Sequence, residues 1–193
     1  MQAELILTGV GGQGIQLCAK CVALAAVAEG RQAMLSADYG GEMRGGKTEA
    51  SVVVSDGELR TVPILPATWS SWVMSDEHWG SVRDRMRPGG VVVVNSTLVT
   101  GDLEVPECRV VEVPATETAT AMGAPMGAGF VLLGAYLALT GMAGLESAKQ
   151  AMTELIPPYR TQHLEANAAA LDAGAALVPS LDFPVPWLAG VTR

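Results

Sequence analysis

The residues predict an α/β domain: a mostly parallel sheet with helices on both faces and a helical C-terminal third. Three observations carry that expectation. A short strand, Glu4–Thr8, runs into Gly9-Val10-Gly11-Gly12-Gln13-Gly14 and then into a helix from Ile15 to about Glu29, with apolar residues at helical spacing. Val91–Asn95 and Arg109–Val113 are short, strongly apolar or β-branched runs, as in strands of a parallel sheet covered on both faces. Beyond Pro114 the pattern turns helical, with segments at Met126–Thr140, Leu145–Leu155 and Thr161–Ala173, the last ending at Gly174.

The elements between follow from local signals. Gly30 stands where a C-cap glycine closes the first helix. Gln32–Ala37 reads as a second strand, so the opening forms a βαβ unit with a parallel pair and a right-handed crossover. Asp38–Lys47 is a glycine-rich loop. Ala50–Ser55 is a β-branched strand, Asp56-Gly57 a hairpin signal and Glu58–Val62 a return strand. Trp72–Ser75 is a further strand. Asp76 then caps a helix running to about Arg87, stopped by Pro88-Gly89-Gly90. No internal repeat or linker interrupts the chain. One domain over residues 1–177 and an irregular, proline-containing arm over residues 178–193 are expected.

Composition narrows the function. The 193 residues carry 12 basic and 20 acidic side chains, a formal charge of −8, which excludes a nucleic-acid footprint. Charged residues make up only 17% against 49% hydrophobic, where a lone small domain carries nearer a quarter charged. The deficit, with Trp69, Trp72, Trp79 and Trp187, implies a continuous apolar surface for a partner subunit, or for a second copy when the chain is alone. No apolar run spans a bilayer and no secretion signal opens the chain, so a cytoplasmic location is expected. Cys18, Cys21 and Cys108 are an odd set suited to a reducing compartment. Cys18 and Cys21 form a C-x-x-C with no second pair, and read as small apolar residues on a helix face.

Two loops carry chemistry. Gly9, Gly11 and Gly14 satisfy G-x-G-x-x-G between a strand and a helix, a Rossmann-like context in which bare backbone N–H groups and a helix N-terminus suit a phosphate. Asp38 stands near where a dinucleotide site places its acid, so an independent NAD-binding domain is one alternative; a non-catalytic scaffold is another. The second loop sets Gly40, Gly41, Gly45 and Gly46 around Glu42 and Arg44, whose guanidinium forks onto a carboxylate or phosphate. The candidate binding set is Gly9, Gly11, Gly12, Gln13, Gly14, Tyr39, Arg44, Gly45 and Gly46. Both loops are expected at one mouth, by the carboxyl ends of the first two strands. His78 and His163 have no sequence partner; no catalytic residue and no metal set is expected.

Gly9-Val10-Gly11-Gly12-Gln13-Gly14, Tyr39-Gly40-Gly41-Glu42-Met43-Arg44-Gly45-Gly46 and Val52-Val53-Val54-Ser55-Asp56 resemble the gamma subunit of 2-oxoacid:ferredoxin oxidoreductases. Gly89-Gly90-Val91-Val92-Val93-Val94-Asn95-Ser96, Leu133-Gly134-Ala135 and Glu165-Ala166-Asn167 continue the resemblance, which spans about Leu5 to Gly174. It implies an inactive isolated chain within a complex that oxidatively decarboxylates a 2-oxoacid with coenzyme A and ferredoxin. It places thiamine diphosphate in alpha and beta subunits and iron–sulfur clusters in a beta or delta subunit. It assigns the gamma domain a part in handling coenzyme A. The Arg-Gly-Gly form looks more like the 2-oxoglutarate, branched-chain and indolepyruvate types than the pyruvate type. Two departures stand out: Thr68-Trp69-Ser70 where many relatives have an aspartate, and Gly129 where many have an asparagine.

Overall fold

A computed structural model describes residues 1–39, 45–59, 64–105 and 107–188. Six strands form one sheet in the order β2-β3-β1-β4-β5-β6. They are β1 (Gln2–Val10), β2 (Gln32–Tyr39), β3 (Lys47–Ser55), β4 (Thr68–Val73), β5 (Met86–Asn95) and β6 (Arg109–Val113). The helices are α1 (Ile15–Ala28), α2 (Gly80–Arg83), α3 (Ala115–Ala121), α4 (Ala128–Thr140), α5 (Leu145–Leu155) and α6 (Leu164–Ala176), with 3-10 turns at Pro125–Gly127 and Pro158–His163.

β1, β4, β5 and β6 pair in parallel, while β3 pairs antiparallel with both β1 and β2. The sheet is mixed but mostly parallel. The expected pairing of the first two strands is corrected here: β2 runs parallel to β1, but β3 lies between them. The expected hairpin after Asp56-Gly57 is also not formed as read. β3 instead returns against β2, Glu58 and Leu59 lie in no strand, and residues 60–63 lie outside the described residues.

Helices occupy both faces unequally. Leu5, Leu7, Val52, Val54, Trp72, Val91 and Val93 face a core shared with α1, α3, α4, α5 and α6. Ile6, Val53, Val73, Val92 and Val94 face a smaller core closed by Leu65, Trp79, Val82 and Leu103. Val82 belongs to α2, a single turn where a helix from Asp76 to Arg87 was expected; Met86 to Gly90 instead begins β5. Gly90 allows this, because a Cβ there would collide with the Trp69 carbonyl of β4. Burial from both sides explains the unbroken apolar runs.

Two of the tryptophans expected on a docking surface, Trp72 and Trp79, are buried, while Trp69 and Trp187 are half-buried against the main core. Exposed apolar side chains include Met122, Met126 and Tyr159 instead. α4 is buried on nearly every face, which accounts for its uniformly apolar sequence. α6 begins three residues later than expected and passes through Gly174, which is an interior packing position, ending at Ala176. Residues 178–188 form no regular element, yet they pack on the protein. Leu181, Phe183 and Val185 donate their N–H groups to the Ala138, Leu139 and Thr140 carbonyls at 2.7, 3.0 and 2.8 Å. Those are among the carbonyls that a helix end leaves without intrahelical partners.

Candidate functional site

The antiparallel register of β1 and β3 sets Val10 opposite Lys47, so the end of one strand lies beside the start of the other. The two glycine-rich loops therefore meet. Gly11 donates its N–H to the Gly46 carbonyl at 2.9 Å, and a Cβ on Gly11 would stand 3.2 Å from the Gly45 nitrogen. Gly12 and Gly14 have φ of 99° and 78°, a region that side chains other than glycine enter only with strain. Gly14 caps α1, its carbonyl accepting from Cys18 N–H at 2.9 Å.

Gln13 is part of the loop's own frame. Its Oε1 accepts from Val10 N–H at 2.9 Å and occupies the space a Cβ on Gly9 would need. The amides of Gly9–Gly14 are thus not all free, as the sequence reading assumed. Those of Gly11 and Val10 are spent on the fold, whereas those of Gly12 and Gly14 have no partner among the described residues. Of the remaining candidates, Gly45 (φ 71°) and Gly46 lie against Gly11. Tyr39 ends β2 opposite Thr48. Arg44 lies outside the described residues.

Gly12, Gln13 and Gly14 form one lip of a cleft of about 720 Å³. Leu17 and Cys18 of α1 continue that wall. Gly123 to Gly127, with Gly129 and Phe130 of α4, form a second; Leu155 to Pro157, Tyr159, Gln162, His163, Ala166 and Asn167 form the third. The lining is more apolar than polar, with Gln13, Tyr159, Gln162, His163 and Asn167 supplying its polar side chains, a make-up that suits a small molecule. Met126, Tyr159 and Asn167 were missed as site residues. They are far apart in sequence and meet only through the packing of α6 on α4. Glu165-Ala166-Asn167 was a visible signal, but nothing in its spacing placed it across from the first loop.

Both departures noted in the sequence have local explanations. A Cβ on Gly129 already stands 3.1 Å from the Gln13 carbonyl and 3.3 Å from Cys18 Sγ, so glycine lets α4 approach the loop. Ser70 is buried, with Oγ donating to the Glu4 carbonyl at 2.8 Å and lying 2.8 Å from Tyr136 Oη. An aspartate there would bring a charge into a buried site.

Asp38 takes no part in this cleft. It lines a second one, of about 580 Å³, with Ser36, Lys47, Glu49, Ser81 and Arg85. There Arg85 donates to Glu49 at 2.6 Å, and Lys47 lies 3.0 Å from Ser81 Oγ and 3.4 Å from Glu49. Cys18 and Cys21 are buried on α1. Burial pushes the Cys21 thiol up to about 12; burial, with Cys21 beside it, raises Cys18 well above its usual value. These are packed thiols shielded from solvent by the core. No helix among the described residues is long and apolar enough to cross a membrane.

Residues 4–177 match the family described as pyruvate ferredoxin/flavodoxin oxidoreductase. The chain belongs to that family. It is 32% identical over 161 residues to the 2-oxoglutarate synthase subunit KorC of Methanocaldococcus jannaschii, covering 81% of this chain and 85% of that one. Among solved structures, a keto/oxoacid ferredoxin oxidoreductase gamma subunit from Geobacter sulfurreducens PCA aligns with a TM-score of 0.76 at 30% identity, covering 90% of this chain and 96% of that one. The same fold recurs in a 2-oxoglutarate:ferredoxin oxidoreductase from Magnetococcus marinus, with a TM-score of 0.84 at 22% identity. This chain is covered to 95% there but spans 33% of that chain. The relatives in this family are subunits of oxoacid oxidoreductases, which agrees with the gamma-subunit reading and not with an independent NAD domain.

Proposed function

We propose that this chain is the gamma subunit of a 2-oxoacid:ferredoxin oxidoreductase and that it helps to bind coenzyme A at the Gly12–Gly14 lip of the cleft. The observation that carries this reading is the pair of unpartnered glycine amides at the N-terminus of α1, opening directly onto a cleft that is more apolar than polar. A helix N-terminus with free N–H groups favours an anion, and the cleft beside it favours the uncharged remainder of the ligand. The Magnetococcus marinus relative is described with 2-oxoglutarate, coenzyme A and succinyl-CoA bound, in keeping with this assignment. Alpha and beta subunits would supply thiamine diphosphate, a beta or delta subunit the iron–sulfur clusters, and ferredoxin would take the electrons from them. The substrate is a 2-oxoacid of the 2-oxoglutarate or branched-chain type, and the enzyme works in the cytoplasm.

Arg44 immediately precedes Gly45, which lies against Gly11 in the first loop. It would add a charge-assisted contact to a coenzyme A phosphate. Losing such a contact costs about 1.5–3 kcal/mol, or roughly 10- to 150-fold in affinity. In the assembled complex, Arg44→Ala is expected to raise the Michaelis constant for coenzyme A by that factor. Thiamine-dependent decarboxylation, followed as carbon dioxide release, should stay near its original rate. A complex that fails to assemble, with normal coenzyme A kinetics in what remains, would assign Arg44 and its glycines to the subunit interface instead.

A further inference from the structure

Asn167, Ala170, Leu171 and Gly174 stand at i, i+3, i+4 and i+7 on α6 and so share one stripe of the helix. Ala170, Leu171 and Gly174 are buried against α4. The fit there has no slack: a Cβ on Gly174 would be driven into the Val131 carbonyl, and one on Gly134 into the Leu171 carbonyl. α6 is therefore held in one position along α4, and the position of Asn167 is fixed with it. Packing alone would place a small or apolar residue at the next site of this stripe. The chain has an asparagine there, where the stripe leaves the helix contact and reaches the cleft. Asn167 is half-buried, its Oδ1 lies 4.0 Å from where a Gly127 Cβ would stand, and no described residue hydrogen-bonds its carboxamide. Its carboxamide is open to the cleft, so a ligand that brings a donor and an acceptor can pair with both of its ends.

A carboxamide offers one donor and one acceptor side by side, the complement of the adenine N6–H and N7 edge. The walls beside it, Leu17, Phe130, Ile156 and Pro157, are flat or aliphatic and suit the faces of a purine. The reactive thiol of coenzyme A must reach thiamine chemistry on another subunit, so the end held by this chain is the nucleotide end. We propose that Asn167 reads the adenine of coenzyme A, its Oδ1 accepting from N6–H and its Nδ2 donating to N7. The Gly12 and Gly14 amides hold the adjoining diphosphate. This assignment rests on the coenzyme A reading above.

The test uses the assembled complex and two fragments of coenzyme A as inhibitors competing with it. Adenosine 3′,5′-bisphosphate carries the adenine, and 4′-phosphopantetheine does not. Asn167→Leu should weaken inhibition by adenosine 3′,5′-bisphosphate about tenfold, the cost of one lost pair of hydrogen bonds. It should leave inhibition by 4′-phosphopantetheine unchanged. The uncharged Asn167→Ala removes both hydrogen bonds without adding bulk and should give the same split, even if the leucine variant fails to assemble. Equal weakening of both fragments, weakening of 4′-phosphopantetheine alone, or no change in either would overturn the proposal. If neither fragment competes with coenzyme A in the unaltered complex, the coenzyme A reading itself fails. Competition by NADH in their place would assign the adenine to a nicotinamide dinucleotide.

Discussion

At Gly12 and Gly14 a Cβ would meet nothing within 4 Å, and both residues have positive φ. At Gly134 and Gly174 the backbone is ordinary helix, and a Cβ would be forced into a carbonyl of the facing helix. The first pair is glycine because of its own torsions and leaves open space above the chain. The second pair is glycine because of its neighbours and leaves none. The open space at the loop is the lip of the cleft, while the absence of space between α4 and α6 fixes the wall opposite. One site thus depends on both kinds of glycine, and they should respond differently to the same substitution.

The largest effect is expected between the helices. Gly174→Ala must separate α6 from α4 along their whole contact, and overpacking of this kind costs about 3 kcal/mol or more. Thermal unfolding of the purified chain should show a midpoint lower by many degrees; an unchanged midpoint would mean that α4 and α6 are not in this contact. Gly9→Ala sits between the two cases. The new methyl evicts the Gln13 side chain and strips Val10 N–H of its acceptor, costing about 1–3 kcal/mol. Gln13→Ala should reproduce most of that loss through the same hydrogen bond, and the double variant should lose little more than either alone. The smallest loss of stability belongs to Gly12→Ala, where only the left-handed torsion is strained, at about 1 kcal/mol. Its unfolding midpoint should move little while the Michaelis constant for coenzyme A rises, because the methyl stands over the free amides. A large fall in stability with normal coenzyme A kinetics would erase the distinction between the two glycine pairs.

Much of this fold could be read before the structure. The β1-loop-α1 unit declared itself because strand, glycine loop and helix are contiguous and each obeys a local rule. β6 and α5 were found to the residue for the same reason. The errors were non-local. β3 between β1 and β2 is a matter of strand order, which no periodicity encodes. The helix expected after Asp76 shrank to the single turn of α2 because Met86 already pairs with Thr68 of β4, a tertiary demand that no local signal encodes. The site divides the same way. The lip at Gly12 and Gly14 came from a motif. Gln13 came with it as a binding residue, although its side chain braces the loop. Asn167 and the turn at Pro125–Gly127 needed the α4–α6 contact before they could be placed opposite that lip.

The placement of β3 also bears on how the chain reaches this state. β2 and β3 are joined by seven residues, while the partners in the β1–β3 pair lie between 37 and 53 positions apart. Closing the shorter loop costs less chain entropy, so the β2–β3 hairpin is the pairing that can form earliest. β1 would then dock onto its free edge, bringing Gly11 to Gly46 as the last step of that zipper. Amide exchange pulsed during refolding should therefore protect Met34 and Val53, which bond across the β2–β3 ladder, before Leu5 and Val52, which bond across β1–β3, and the Gly9–Gly14 loop would be assembled only after the sheet around it has closed.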